Sequence, residues 1–201
     1  MEKKKNIYIV ASYTDTVPGK LIATRAKLKF WNRYDGDGYS HISLSSTKTL
    51  KDMLSFARKE MDNPFNSGLV SEDIGKEMFV LKPEKSKIAV MEIPVTEEQF
   101  VDIEKLMEYF WETRDKYNFN FLGLTSMLIC GRGLSLEDTY FCSQWVDTVL
   151  KECGIDFFNG EKSYNIRPFD FYCQLKKYII YEGLTKDYPF YNDEEIQKRF
   201  I

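Results

Sequence analysis

The sequence predicts a single α+β domain. Three observations lead there. Short apolar or alternating runs at residues 6–12 and 39–45 have the pattern of strands. A capping box at Thr96-Glu97-Glu98-Gln99 and an apolar stripe after Cys142 have the period of helices. No internal repeat, low-complexity stretch or linker divides the 201 residues, so one domain spans residues 6–184. Residues 1–5 form a basic flexible terminus and residues 185–201 a C-terminal extension.

Taken in order, residues 6–12 are nearly all apolar, as in a strand buried on both faces. Thr16-Val17-Pro18 opens a helix to about Phe30, with proline in the first turn where its missing N–H costs nothing. Residues 31–38, ending Asp35-Gly36-Asp37-Gly38, form a loop. Residues 39–45 alternate, with Ile42 and Leu44 on one face and Tyr39, His41 and Ser43 on the other. After a turn near Thr47 and Lys48, residues 53–57 return as the second arm of a hairpin. Leu54, Ser55 or Phe56 then comes opposite His41, and only Ser55 of these is polar.

Residues 60–75, with Asn63-Pro64 and Asn66-Ser67-Gly68, read as a long irregular segment. Strands follow at about 78–81 and 87–93. The capped helix carries Phe100, Ile103, Met107, Phe110 and Trp111 on its core face and reaches about Tyr117. Residues 118–133 hold a short apolar helix and a turn. From Cys142, residues Trp145, Val146, Val149, Leu150 and Cys153 repeat at helical spacing until Gly154 ends the helix. A loop over 156–167, a helix from Pro168 to about Lys177, a strand at 178–182 and a helical turn near Glu194 complete the reading.

Composition narrows the function. The chain is 43% apolar and 29% charged, the balance of a folded globular protein, and its 15% aromatic content predicts a core of large rings. A net charge of −3 gives no basic footprint for nucleic acid. The apolar run at 7–11, though it follows Lys3 to Lys5, is too short for a signal peptide or a membrane span, and none appears elsewhere. Cys130, Cys142, Cys153 and Cys173 are spaced irregularly, and one histidine leaves a metal cluster without ligands. No metal or cofactor is expected. Four free thiols and no export signal point to the cytoplasm.

One constellation carries chemistry: Cys142 with His41, the only histidine. The first turn of a helix has unpaired N–H groups and the positive end of the dipole, which favour a thiolate. An imidazole beside it completes the nucleophile of cysteine hydrolases and acyltransferases. Position alone leaves open a buried structural cysteine and a solvent-facing strand histidine.

The motifs Tyr39-Ser40-His41-Ile42-Ser43-Leu44 and Tyr140-Phe141-Cys142-Ser143-Gln144-Trp145-Val146, about a hundred residues apart, resemble those of the YiiX-like family. Its members are circularly permuted papain-like cysteine hydrolases, related to NlpC-type peptidases and to the lecithin retinol acyltransferase group. There a hydrophobic-S-H-hydrophobic strand precedes a Y-x-C-S-x-hydrophobic helix start, so histidine comes before cysteine, as here. The resemblance implies a small antiparallel sheet or half-barrel packed against helices, with the nucleophile at a helix N-terminus. It makes Cys142 the nucleophile, His41 the base and the Cys142 N–H an oxyanion donor. Relatives use a polar orienter on the strand after the histidine strand. Ser55 is the first choice here and Glu72 the second. Tyr140, Tyr13 and Ser12 are candidates for lining the site, with ordinary packing as the alternative.

The expected activity is amidase or peptidase chemistry on a small-molecule, peptide or acyl-conjugate substrate. A non-catalytic binding module and a lipid acyltransferase or thioesterase are the rivals. The last needs an exposed apolar helix or a basic patch, and the sequence makes neither evident.

Overall fold

The structure is a computed structural model that describes residues 4–13, 38–60, 63–76, 79–80, 82, 84–192 and 199–200. The helix expected over 16–30, most of the loop before Gly38, and the turn near Glu194 lie outside them. The described residues form an α+β fold with a six-stranded antiparallel sheet. Its strands are β1 (Lys4–Tyr13), β2 (His41–Ser45), β3 (Met53–Glu60), β4 (Asn63–Glu72), β5 (Lys87–Thr96) and β8 (Ile179–Leu184). They lie in the order β4-β3-β2-β1-β5-β8. Two short strands, β6 (Asn118–Phe119) and β7 (Thr139–Tyr140), pair in parallel. The helices are α1 (Glu97–Glu112), α2 (Phe121–Cys130), α3 (Cys142–Glu152) and α4 (Pro168–Leu175).

The unbroken apolar run of β1 reflects its place inside the sheet, between β2 and β5. Ile7, Ile9 and Ala11 enter a large core shared with Ile103, Met107 and Phe110 of α1, with Trp145, Val146, Val149 and Leu150 of α3, and with α4. Tyr8 and Val10 point the other way, into a smaller core with Leu50, Met53, Ile74, Phe79 and Tyr188. Each large apolar side chain buried this way stabilises the fold by about 1.5–3 kcal/mol. The Thr96 cap forms as the sequence predicts: Thr96 Oγ1 accepts from the Gln99 N–H at 3.1 Å and Gln99 Oε1 from the Thr96 N–H at 3.1 Å.

Several expectations are corrected. Lys4 and Lys5 are not a free terminus but part of β1, opposite Thr96 and Val95. The segment read as irregular at 60–75 is largely β4, an edge strand among the described residues, where proline and glycine are tolerated because one side of the ladder has no partner there to lose. Phe79 and Val80 are not in a strand, and Phe79 is buried in the smaller core. Described residues after 184 pack into the fold: Tyr188 fills the smaller core, and Phe200 enters the large one against Trp111, ring centroids 5.7 Å apart.

The α1 helix ends at Glu112, and a 3-10 turn over Arg114–Lys116 carries the chain on to Tyr117. Gly154 takes the left-handed conformation, φ 73°, just past the end of α3. No helix among the described residues is long and apolar enough to cross a membrane.

Candidate active site

Cys142 is the first residue of α3. Phe141, extended and fully buried, fixes the helix entry without a side-chain cap, and the first intrahelical bond runs from the Trp145 N–H to the Phe141 carbonyl. The Cys142 N–H therefore belongs to the first-turn amides that lack an acceptor in their own helix. The α3 stripe locks against the sheet: Trp145 lies 6.3 Å from Phe56 of β3 and 5.9 Å from Phe110 of α1 between ring centroids. Ser143 anchors the same turn by donating to the Ile166 carbonyl at 2.7 Å. The thiol itself is nearly enclosed, with Cys142 7% exposed.

His41 is the first residue of β2 and only 12% exposed. Its Nε2 donates to Glu72, at 2.9 Å to Oε1 and 3.2 Å to Oε2. Glu72, the last residue of β4, is 2% exposed and also accepts from the Ser43 hydroxyl at 2.5 Å. Cys142 also acts on the ring and favours its charged form. With Nε2 committed to Glu72, Nδ1 is the nitrogen left for the thiol.

Burial is the largest influence on the imidazole and favours its neutral form. The Glu72 charge and hydrogen bonds to Cys142 and Glu72 overcome it and raise the His41 pKa from 6.5 to about 10. The ring is therefore an imidazolium at neutral pH, held between a carboxylate and a thiol.

The hairpin register explains which orienter meets the ring. Leu44 lies opposite Leu54, so one step along the antiparallel pair sets Ser55 beside Ser43, short of His41. Ser55 spends its hydroxyl on the Ile42 carbonyl at 2.6 Å. The turn is longer than the sequence suggests because Leu50, buried and with φ 56°, folds it back through a bond from its N–H to the Thr47 carbonyl.

Among the lining candidates, Ser12 is opposite His41 on β1, fully buried, and its hydroxyl has no hydrogen-bond partner among the described residues. Tyr13 ends β1 opposite Lys87. Tyr140 packs in an aromatic cluster, 5.4 Å from Phe56 and 5.8 Å from Tyr117 between centroids, and burial raises its pKa. Burial also raises the thiols of Cys153 and Cys173 above their ordinary values. All four cysteines are free.

Ser43 is the residue that sequence reasoning passed over. Its only signal was the strand alternation that puts it on the histidine's face. A second revision concerns the surface: α2 is an exposed apolar helix, with Leu122 65% and Ile129 70% exposed and Leu134 and Leu136 exposed just beyond it. Its start lies beside that of α3, since β6 pairs with β7 and Asn120, the α2 N-cap, donates to Gln144 of α3 at 3.1 Å.

No family model matches the sequence, and no curated protein or solved structure matches it.

Proposed function

We propose that the protein is a Cys-His hydrolase of amidase or peptidase type, with a circularly permuted papain-like fold. The observation that carries this reading is the only histidine of the chain, held by Glu72 on one side and beside Cys142 at a helix start on the other. In the reaction, Cys142 Sγ attacks the carbonyl carbon of an amide or ester. The first-turn N–H groups of α3 receive the oxyanion. The intermediate collapses to acyl-Cys142 as His41 gives its proton to the leaving amine or alcohol. Water then attacks the acyl carbon, His41 accepts its proton, and the thiolate leaves. Glu72 holds the ring in one orientation throughout.

With Glu72 as a carboxylate orienter, the rival reading of a non-catalytic binding module is weakened. The exposed apolar α2 beside the α3 start favours a second reading, acyl transfer from an apolar donor.

Alkylation with iodoacetamide, followed by peptide mapping, tests the proposal. Cys142 should react faster than the exposed Cys130 at pH 6–7, although it is the more enclosed thiol. His41→Gln, which keeps a donor for Glu72, should slow Cys142 by about tenfold or more. If Cys142 reacts no faster than Cys130, the hydrolase reading fails.

A further inference from the structure

We propose that Ser43 is a positioning residue of this site: its hydroxyl pins the Glu72 carboxylate in the orientation that holds the His41 ring. The inference rests on reading Cys142 and His41 as the reacting pair, and it adds a component that acts without touching substrate. Ser43 is fully buried and two residues beyond His41 on β2, so both side chains leave the strand on one face. Glu72 comes from β4, two strands away in the sheet, with Met53 of β3 as its register partner. The one ring N–H, shared between both oxygens at 2.9 and 3.2 Å, would by itself leave the carboxylate free to rotate about its own side chain. The Ser43 hydroxyl on Oε2 at 2.5 Å, with Nε2 on Oε1 at 2.9 Å, fixes both oxygens from the same strand.

A buried carboxylate also needs donors for both oxygens, because an unpaired one is costly in the interior. Asp73, next along the chain, pairs with the buried Lys51 at 3.3 Å and with Lys76 at 3.7 Å, and the Lys51 ammonium also donates to the Tyr191 carbonyl. Cys142, at the start of α3, acts on the imidazole. Among the described residues, Ser43 is therefore the hydroxyl that turns a flexible glutamate into a fixed orienter.

Because the chain has one histidine, its imidazole resonance in NMR reads this arrangement without ambiguity. In Ser43→Ala the carboxylate rotates away from Nε2, and the His41 titration should fall by at least about one pH unit. Alkylation of Cys142 at pH 7 should slow by about tenfold, and Ser43→Thr, which restores the hydroxyl, should recover both. A folded Ser43→Ala protein with lower thermal stability but an unchanged His41 titration overturns the proposal. Should Ser43→Ala fail to fold, Ser43→Cys, of similar shape but a weak donor, is judged by the same titration. If Cys142 itself proves unactivated in the wild type, the hydrolase reading fails separately, and the His41 titration still decides the role of Ser43.

Discussion

His41 couples the site to the stability of the fold through its proton. Its pKa rises from 6.5 to about 10 on folding, so the folded state binds the proton more tightly than the unfolded chain. The stabilisation is complete below pH 6.5, declines as pH rises, and is gone above about pH 10. Urea unfolding at pH 6.5 and at pH 10 should differ by on the order of a few kcal/mol more in the wild type than in His41→Gln. An equal pH dependence in both proteins would contradict the ion pair. His41→Ala is a harsher change, because among the described residues it leaves the enclosed Glu72 charge only the Ser43 hydroxyl, and losing one partner of a buried pair costs about 3–5 kcal/mol. The same enclosure explains why the sequence ranks Glu72 second. Which side chain reaches His41 depends on the length of the β2–β3 turn, and a left-handed leucine at position 50 sets that length. Leucine gives no sequence signal for such a conformation.

At the scale of elements, legibility followed periodicity. The strands β1, β2 and β5 and the helices α1, α3 and α4 are visible because at least one side of each is committed to a core. The edge strand β4 is not, since Asn63-Pro64 and Asn66-Ser67-Gly68 carry turn chemistry and pairing with β3 holds it extended. The exposed α2 was legible as a helix, but its lack of cover was not, because an apolar segment ordinarily predicts burial. The Thr96 cap of α1 and the glycine after α3 follow the capping rules, whereas Phe141 at the start of α3 does not. Gly154 has a left-handed backbone and open space around the position of a Cβ, so Gly154→Ala adds strain without a clash. It should cost about 1 kcal/mol, read from the shift of the urea midpoint at constant slope. No shift would mean that the backbone there relaxes freely.

At the scale of the whole molecule, two cores share one sheet, and the chain's last described residues close both. Phe200 is only 3% exposed and lies against Trp111, so Phe200→Ala should cost about 3 kcal/mol in chemical denaturation. A loss below about 0.5 kcal/mol, typical of surface positions, would restore the picture of a dispensable extension.

The edge position of β4 has a consequence for how the site fails. Edge strands open at lower free energy than the strands they flank, in local excursions that leave the rest of the protein intact. Glu72 sits on that strand, while Cys142 and His41 sit on α3 and β2, which border the large core. Mild denaturant should therefore abolish the preference for alkylating Cys142 over Cys130 before far-ultraviolet circular dichroism registers unfolding. If the two transitions coincide, the edge is no weaker than the core. Otherwise the chemistry of the cysteine is switched by the fraying of a strand that the cysteine does not belong to.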